Sequence, residues 1–299
     1  MPKPLHLRLP ATSANLGPGF DALGLSMALY LDIEATEAPA DTITATVRNP
    51  ELTADAQRSL IFTTYRDVLA QQGIAAPKLH LNLHNEIPLG MGCGSSAAAL
   101  LAGVHLANHF GNLNWTPHQV MTDACLREGH PDNVAACALG GMTASTQQGT
   151  EILTATLGLD LPWKLLLALP SASLATEKAR ALLPDTYSRA DAVANIQRSS
   201  LLVAAFAFNR PELLRTAMQD RIHQPYRSDA CPLLPRLLPL AEHPGVYGVA
   251  LSGAGPSVLL IVDHLSPLES IKSVICEAAG DPSMELLTTT IAGPVEVTV

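Results

Sequence analysis

The chain is poor in aromatic and charged residues: of its 299 residues, 4% are Phe, Trp or Tyr and 15% are Asp, Glu, Lys or Arg. So few aromatic side chains argue against the base-stacking surfaces that bind single-stranded nucleic acids. The formal net charge of −9 argues further against a nucleic acid as partner. With 47% hydrophobic residues, the composition predicts a globular protein with no nucleic-acid partner.

Long apolar runs and paired cysteines are also missing. No apolar run is long enough to span a bilayer, and the first ten residues carry prolines and charges instead of an apolar signal core. The five cysteines are odd in number, widely spread and form no C-x-x-C pair, a pattern that suits reduced thiols better than a disulfide framework or zinc site. We therefore expect a cytoplasmic protein with no membrane partner.

A glycine-rich stretch is the most informative feature that is present. Residues 88–103 place Gly90, Gly92 and Gly94 at alternate positions before two serines and a run of helix-forming residues. Glycines let backbone N–H groups turn inward, and the first N–H groups of a helix are unpaired at the positive end of its dipole. The stretch predicts a loop that binds a nucleotide triphosphate. No Lys-Ser/Thr follows, so it is not a Walker loop, and a tightly packed turn is the alternative.

Hydrophobic periodicity predicts strands and helices that alternate along the chain. Strands are expected at 5–9, 23–36, 42–47, 79–83, within 142–156, and at 165–169, 247–251 and 258–262. Helices are expected at 55–71, 95–109, 176–183, 189–208 and 267–279. A further helix is expected to begin at 117 and to be interrupted at 130–133, and a short helix is expected to follow it and to end at 139. Residues 11–20 are expected to form a loop. The order has no strict βαβ repeat and favours an α+β fold in two layers, with a domain boundary near 157–162.

Two further segments place polar groups among glycines. Residues 10–21, Pro-Ala-Thr-Ser-Ala-Asn-Leu-Gly-Pro-Gly-Phe-Asp, follow a strand, where substrate-binding groups are common. Residues 252–257, Ser-Gly-Ala-Gly-Pro-Ser, form a tight turn that could bring backbone close to a phosphate. An Asx-stabilised turn and a plain hairpin are the respective alternatives.

A third polar segment, Glu-Gly-His-Pro-Asp-Asn at 128–133, suggests a cation site. Phosphoryl transfer needs a magnesium ion, usually held by a hydroxyl and a carboxylate. Ser96 could supply the hydroxyl and Glu128 the carboxylate. The alternative for Glu128 is a solvated helix end, and that for His130 is a capping or packing role.

Residues 10–21, the glycine-rich loop 88–96 together with 128–133, and residues 252–257, in this order and spacing, resemble the three motifs of the GHMP kinases. The resemblance covers essentially the whole chain. Two more stretches, Thr-Glu-Lys-Ala-Arg at 176–180 and His-Gln-Pro-Tyr-Arg at 223–227, make the sequence most similar to the homoserine kinase family within that superfamily. The resemblance implies a two-layer α+β GHMP-kinase fold. An N-terminal nucleotide-binding domain would cover residues 1–158, and a ferredoxin-like C-terminal domain would cover 159–299.

The resemblance also implies a function. It implies ATP-dependent phosphorylation of the L-homoserine hydroxyl, a step of threonine biosynthesis, with ATP and Mg²⁺ as cofactors. A homodimer is common in this family. The alternatives are another small-molecule kinase of the superfamily and a catalytically inactive member that senses a ligand.

The family's functional residues carry over by position. Those implied to bind ATP are Pro88, Leu89, Gly90, Met91, Gly92, Cys93, Gly94, Ser95, Ser96 and Gly253. Those implied to bind the substrate are Asn15, Asp21, Asn133, Arg180 and Arg227, with the two guanidinium groups on the carboxylate and Asp21 on the ammonium. The implied catalytic residues are Asp132, Asn133 and Thr176. The implied metal ligands are Ser96 and Glu128.

Two positions depart from the family pattern. Met91 stands where the phosphate loop commonly has arginine, and Ser59 stands where an asparagine often contacts adenine. The backbone cradle for phosphate does not depend on either residue. The sequence therefore supports phosphate binding more firmly than a preference for one nucleotide base.

Overall fold

The computed structural model describes residues 3–47, 59–171 and 176–299. Its strands are β1 Leu5–Asn15, β2 Gly19–Glu37, β3 Thr42–Val47, β4 Leu79–Asn85, β5 Met142–Gln148, β6 Glu151–Leu157, β7 Lys164–Leu169, β8 Val246–Leu251, β9 Val258–Val262, β10 Glu285–Thr290 and β11 Glu296–Thr298. Its α-helices are α1 Leu60–Gln71, α2 Ser95–Phe110, α3 Pro117–Glu128, α4 Asp132–Leu139, α5 Thr176–Arg180, α6 Arg189–Ala207, α7 Leu214–Ala217, α8 Gln224–Arg227, α9 Leu233–Leu237 and α10 Leu268–Ala279. None of these helices is both long and apolar enough to cross a lipid bilayer.

The first sheet is built mainly from the first half of the chain. Its strands run in the order β11-β1-β2-β4-β3, with β5 paired to β2 and β6 to β5. The buried Leu79, Leu81 and Leu83 of β4 alternate with more exposed residues, as expected for a strand with one face on the core. The strand β4 then delivers the chain to the glycine-rich stretch.

The second sheet has the order β10-β7-β9-β8, and every neighbouring pair is antiparallel. The helix α6 lies between β7 and β8 in the chain, and α10 lies between β9 and β10. This is the βαββαβ arrangement of a ferredoxin-like fold. At the start of α6 the Ser188 hydroxyl accepts a hydrogen bond from the Asp191 backbone N–H, as its capping pattern predicts. The expected α+β fold is confirmed.

A segment near the C-terminal end returns to the first sheet. The strand β11 pairs with β1, and Ala292 hydrogen-bonds Ser26 in β2 through both its N–H and its carbonyl. One cluster of buried side chains also includes residues of both sheets. The domain boundary at 158 falls in the connection between β6 and β7 and stays a prediction.

The predicted loop at residues 11–20 is wrong. Residues 11–15 continue β1, and β2 begins at Gly19, so that only residues 16–18 form the turn. The small side chains at 11–14 are buried and lack the apolar–polar alternation that marks a strand. Pairing with β2 extends the strand through two irregularities in register. The helix predicted at 55–71 is α1, and residues 55–58 lie outside the described ranges.

Candidate active site

One cleft brings together the segments that the sequence singled out. Its lining comes from residues 10–21, 88–96, 128–133, 176–180, 223–227 and 252–257. These segments lie far apart in the chain and belong to both halves of it. The cleft is therefore a property of the whole fold and not of one domain.

The glycine-rich loop opens the N-terminus of α2 toward this cleft. Gly94 precedes the helix in the left-handed conformation, with φ of 70°, and no side chain caps the helix. A Cβ on Gly94 would lie 1.8 Å from Thr12 Oγ1, so glycine is needed here for space as well as for conformation. The uncapped N–H groups and the helix dipole make this end of α2 suitable for a phosphate.

Hydrogen bonds from two other segments hold the loop. Ser252 Oγ donates to the Gly92 carbonyl at 2.7 Å, and Ser257 Oγ donates to the Met91 carbonyl. The Thr12 N–H donates to the Cys93 carbonyl at 3.1 Å. The turn at 252–257 therefore supports the phosphate loop, in addition to placing Gly253 in the cleft lining.

The predicted cation ligands lie side by side. Ser96 Oγ, in the first turn of α2, donates to Glu128 Oε1 at the end of α3 over 2.8 Å. Both residues line the cleft next to the uncapped helix end. A hydroxyl and a carboxylate are hard oxygen donors of the kind that Mg²⁺ prefers, so this pair fits a magnesium ion.

Asp132 organises the polar residues at the start of α4. Its Oδ1 accepts hydrogen bonds from His130 Nδ1 at 2.7 Å and from the Asn133 backbone N–H at 2.7 Å, with Asn133 Nδ2 at 3.3 Å. Thr12 Oγ1 donates to Asn133 Oδ1 at 2.7 Å, which fixes the orientation of that amide. No hydrogen bond between described residues uses Asp132 Oδ2. The hydrogen bonds from His130 and Asn133 to the Asp132 side chain all use Oδ1.

His130 is held toward its charged form by the carboxylates around it. Burial opposes the positive charge, but the hydrogen bond to Asp132 and the charges of Asp132, Asp21 and Glu128 outweigh burial and raise the pKa of His130 above its ordinary value. The raised pKa shifts the balance of His130 toward its protonated form.

Asp21 and Arg180 form a two-point ion pair in the cleft. Arg180 Nη1 donates to Asp21 Oδ2 and Arg180 Nη2 to Asp21 Oδ1, each over 2.8 Å. Asn15 braces this region, because its Oδ1 accepts from the Asp21 N–H at 3.1 Å and its Nδ2 donates to the Gly253 carbonyl at 2.9 Å. The Asn15 amide thus binds backbone at both of its ends.

Arg227 is buried without a carboxylate partner. Its residue is 2% exposed, and its guanidinium donates to the Ala179 carbonyl at 3.1 Å, to His223 Nδ1 at 3.1 Å and to the Gly253 carbonyl at 3.4 Å. Among the described residues no Asp or Glu side chain lies within ion-pair distance of it. Burial and the nearby Arg180 lower the pKa of Arg227. A buried cation paired only with neutral groups favours an anionic ligand.

The aromatic ring of Phe20 contacts the guanidinium groups of both Arg180 and Arg227. The guanidinium carbon of Arg180 lies 5.3 Å from the centre of the Phe20 ring, and that of Arg227 lies 5.5 Å from it. The two cations therefore flank one aromatic side chain near the start of β2.

Most of the site residues implied by sequence line the cleft. Of the ten residues that the resemblance implies bind ATP, seven line the cleft. The three that do not are Pro88, Leu89 and Met91. Met91 instead packs against the hydrophobic core. All five substrate residues line it, as do Ser96, Glu128 and Asp132. The side chain of Thr176, the first residue of α5, lies outside the described part of the chain.

Sequence reasoning missed three residues of the cleft and its support: Phe20, His130 and His223. Each belongs to a motif that the sequence singled out, so the signal was present. What the sequence lacked was the contact: Phe20 against two arginines, His130 against Asp132, and His223 against Arg227.

Known proteins share both the sequence and this fold. Residues 59–141 match the GHMP kinases N terminal domain, and residues 201–281 match the GHMP kinases C terminal domain. A homoserine kinase of Solibacter usitatus is 45% identical over 87% of this chain and 85% of its own length, and one of a Synechocystis species is 38% identical over 93% and 92%.

Solved structures agree with these matches. The crystal structure of homoserine kinase from Cytophaga hutchinsonii has a TM-score of 0.84 and 25% identity, and it covers 100% of this chain and 98% of its own. Mevalonate kinase of L. major, 15% identical with a TM-score of 0.73, shares the fold across 98% of this chain and 99% of its own. The chain therefore belongs to the GHMP kinases, and within them to the homoserine kinase family.

Proposed function

We propose that this protein transfers the γ-phosphate of ATP to the side-chain hydroxyl of L-homoserine. The observation that carries the proposal is Arg227, a buried guanidinium without a carboxylate partner among the described residues, in the same cleft as the uncapped end of α2. A phosphate site beside a carboxylate site fits a phosphoryl transfer to an amino acid. Family membership supports the same activity.

The substrate's two charged groups match the two kinds of anchor in the cleft. The carboxylate would be bound by Arg227 and Arg180, because guanidinium groups suit the geometry of a carboxylate. The ammonium would be bound by Asp21, which now pairs with Arg180. Asn133 would orient the hydroxyl, since its amide is held by Thr12 and Asp132. Thr176 stays a prediction for the same task.

The chain's own groups would then align the reaction. In the transfer the hydroxyl oxygen forms the new bond to the γ-phosphorus, the bond to the bridging oxygen of ADP breaks, and the hydroxyl proton leaves. Backbone N–H groups at Gly94–Ser96 would hold the phosphates, and Ser96 and Glu128 would hold Mg²⁺. When bound, that ion neutralises negative charge on the transferred phosphate. Asp132 Oδ2 is the candidate acceptor for the proton.

A coupled ADP-release assay tests the proposal. L-homoserine, mevalonate, galactose and shikimate are offered in parallel, and phosphorylated product is identified by mass spectrometry. We expect turnover with homoserine only. Turnover of another alcohol would move the activity elsewhere in the superfamily, and ATP binding with no transfer would indicate a ligand sensor. A homodimer and a cytoplasmic location stay predictions.

A further inference from the structure

His223 is fully buried between two parts of the substrate cleft. Its Nε2 lies 2.8 Å from the Gly17 carbonyl oxygen, and its Nδ1 lies 3.1 Å from Arg227 Nη1. A guanidinium N–H can only donate, so Nδ1 must accept and the ring proton must be on Nε2, which donates to Gly17. The contacts therefore fix both the tautomer and the neutral state of the ring.

The surroundings of His223 agree with this neutral state. Burial lowers the pKa of His223 and the charge of Arg227 lowers it further, against the opposing charge of Asp220. A protonated ring would place two donors against each other at the Arg227 contact. The acceptor for Arg227 is thus present only on the neutral imidazole.

Asp220 and Asn195 hold the segment that carries His223 and Arg227. The Asp220 carboxylate accepts from the backbone N–H groups of residues 222–224, at 2.9, 2.8 and 2.6 Å, just before and at the start of α8. Asn195 Nδ2 donates to Asp220 Oδ1 at 2.9 Å and to the Pro18 carbonyl at 3.2 Å. The short helix α8 is therefore tied to α6 and to the hairpin turn.

The hairpin turn needs such ties. Leu16 has a φ of 49°, Gly17 has 88° and Asp21 has 56°, all in the left-handed region. A leucine persists in this region only when its surroundings impose it. His223 at the Gly17 carbonyl and Asn195 at the Pro18 carbonyl are two of those constraints. The first residues of β2, directly after this turn, place Phe20 and Asp21 in the cleft.

We propose that His223 is a positioning residue: its neutral imidazole bridges Gly17 and Arg227 and so fixes the spacing between the cation Arg227 and the carboxylate Asp21. That spacing is what a substrate with an α-carboxylate and an α-ammonium requires. The inference rests on the proposed function. It assigns His223 to homoserine recognition, not to the nucleotide or to the transfer step.

Steady-state kinetics of His223→Leu, which removes both hydrogen bonds, test this assignment. We expect the homoserine KM to rise about tenfold or more, because a hydrogen bond to a charged group is lost, while the ATP KM stays within about twofold. His223→Asn should recover part of the loss, since its amide oxygen can accept from Arg227. Calorimetric titration of homoserine gives the same comparison without turnover.

A double-mutant cycle with Arg227→Ala separates positioning from general damage. If His223 acts through Arg227, His223→Leu adds little to the homoserine KM of the Arg227→Ala protein. The control is His105→Leu in α2, a half-buried histidine outside the cleft lining whose pKa burial lowers to about 4. We expect it to leave both KM values unchanged. If His223→Leu does not fold, His223→Gln replaces it, because its longer side chain can place the amide N–H at the position of Nε2, near the Gly17 carbonyl, and has no acceptor at the position of Nδ1.

An unchanged homoserine KM, equal rises in both KM values, or additive effects in the cycle would overturn the inference. Failure of the wild-type protein to phosphorylate homoserine would instead overturn the proposed function, and the two failures are therefore distinguishable.

Discussion

Asp21 and Arg180 face each other across 159 positions of sequence, with both guanidinium branches 2.8 Å from the two carboxylate oxygens. The pair is partly exposed, 33% for the Asp21 side chain and 43% for that of Arg180. Ion pairs exposed to this degree contribute only about 0–1 kcal/mol, so a zwitterionic substrate can replace the contact at small cost. Arg227 differs, because it is buried without such a partner among the described residues.

This difference predicts unequal effects of removing the two arginines. Arg227→Ala should raise the homoserine KM by about 30-fold or more, because losing a buried charged anchor costs about 2–4 kcal/mol. Arg180→Ala should raise it less, and the ATP KM should stay unchanged in both. Kinetics with each substrate varied in turn give the result. Arg210→Ala, which breaks only a surface pair with Glu212, is the control. A normal homoserine KM in Arg227→Ala would show that the substrate carboxylate binds elsewhere.

The contact between Ser96 and Glu128 predicts a metal-dependent defect. Ser96→Ala or Glu128→Gln should lower kcat by about tenfold or more and raise the Mg²⁺ concentration needed for half-maximal rate, since the first removes the proposed hydroxyl ligand and the second removes the charge of the proposed carboxylate ligand. The measurement is kcat as a function of Mg²⁺ concentration at saturating homoserine. Glu212→Gln removes a surface carboxylate outside the cleft lining and should leave the Mg²⁺ curve in place. A shift in homoserine KM alone would place these two residues at the substrate instead.

The raised pKa of His130 predicts a pH-dependent stability with a definite sign. A histidine whose pKa is higher in the folded state stabilises the protein below the unfolded value of about 6.5 and loses that contribution as pH rises through the folded pKa. His130→Gln should therefore flatten the fall of the melting temperature on the alkaline side of about 6.5. An NMR titration of the imidazole checks the cause directly. Its pKa should lie above the ordinary value in the wild type and fall in Asp132→Asn.

The tight packing around Gly94 predicts that alanine at this position disrupts activity by a steric clash. A second glycine with a similar φ but free space around it separates this clash from the cost of the backbone conformation. Gly94→Ala should abolish most activity and raise the ATP KM, because its Cβ would collide with Thr12 at 1.8 Å and shift the phosphate loop. Gly73 has nearly the same φ, 68° against 70°, but a Cβ on Gly73 would meet no atom within 4 Å. Gly73→Ala should cost about 1 kcal/mol of stability and leave the kinetics intact. Equal activity of the two variants would contradict this account of the loop.

The sequence predicted the parts of the site that depend on local signals. The alternate glycines followed by a helix indicated the phosphate loop, and the capping pattern at Ser188 indicated the start of α6. The extension of β1 through residues 11–14 was missed, because four small buried residues carry no apolar alternation. The short helices at 214–237 were missed for a similar reason: four or five residues are too few to show a period.

The parts of the site that depend on tertiary distances could not be predicted from one sequence. The resemblance placed Asp21 and Arg180 in the substrate pocket but could not show that they pair with each other. It marked Asn15 as a substrate residue, whereas its amide spans the backbone of Asp21 and Gly253. His223 lay inside a motif that the sequence singled out, yet only the two hydrogen bonds of its ring nitrogens, to residues 206 and 4 positions away in sequence, reveal what it holds.

The return of the segment around Ala292 and β11 to the first sheet bears on how the protein is made. During synthesis β1 and β2 emerge from the ribosome before residues 292–298, yet Ser26 and the edge of β1 meet their partners only when those residues have emerged. The first sheet must therefore keep an open edge at β1 while the four strands of the second sheet are translated.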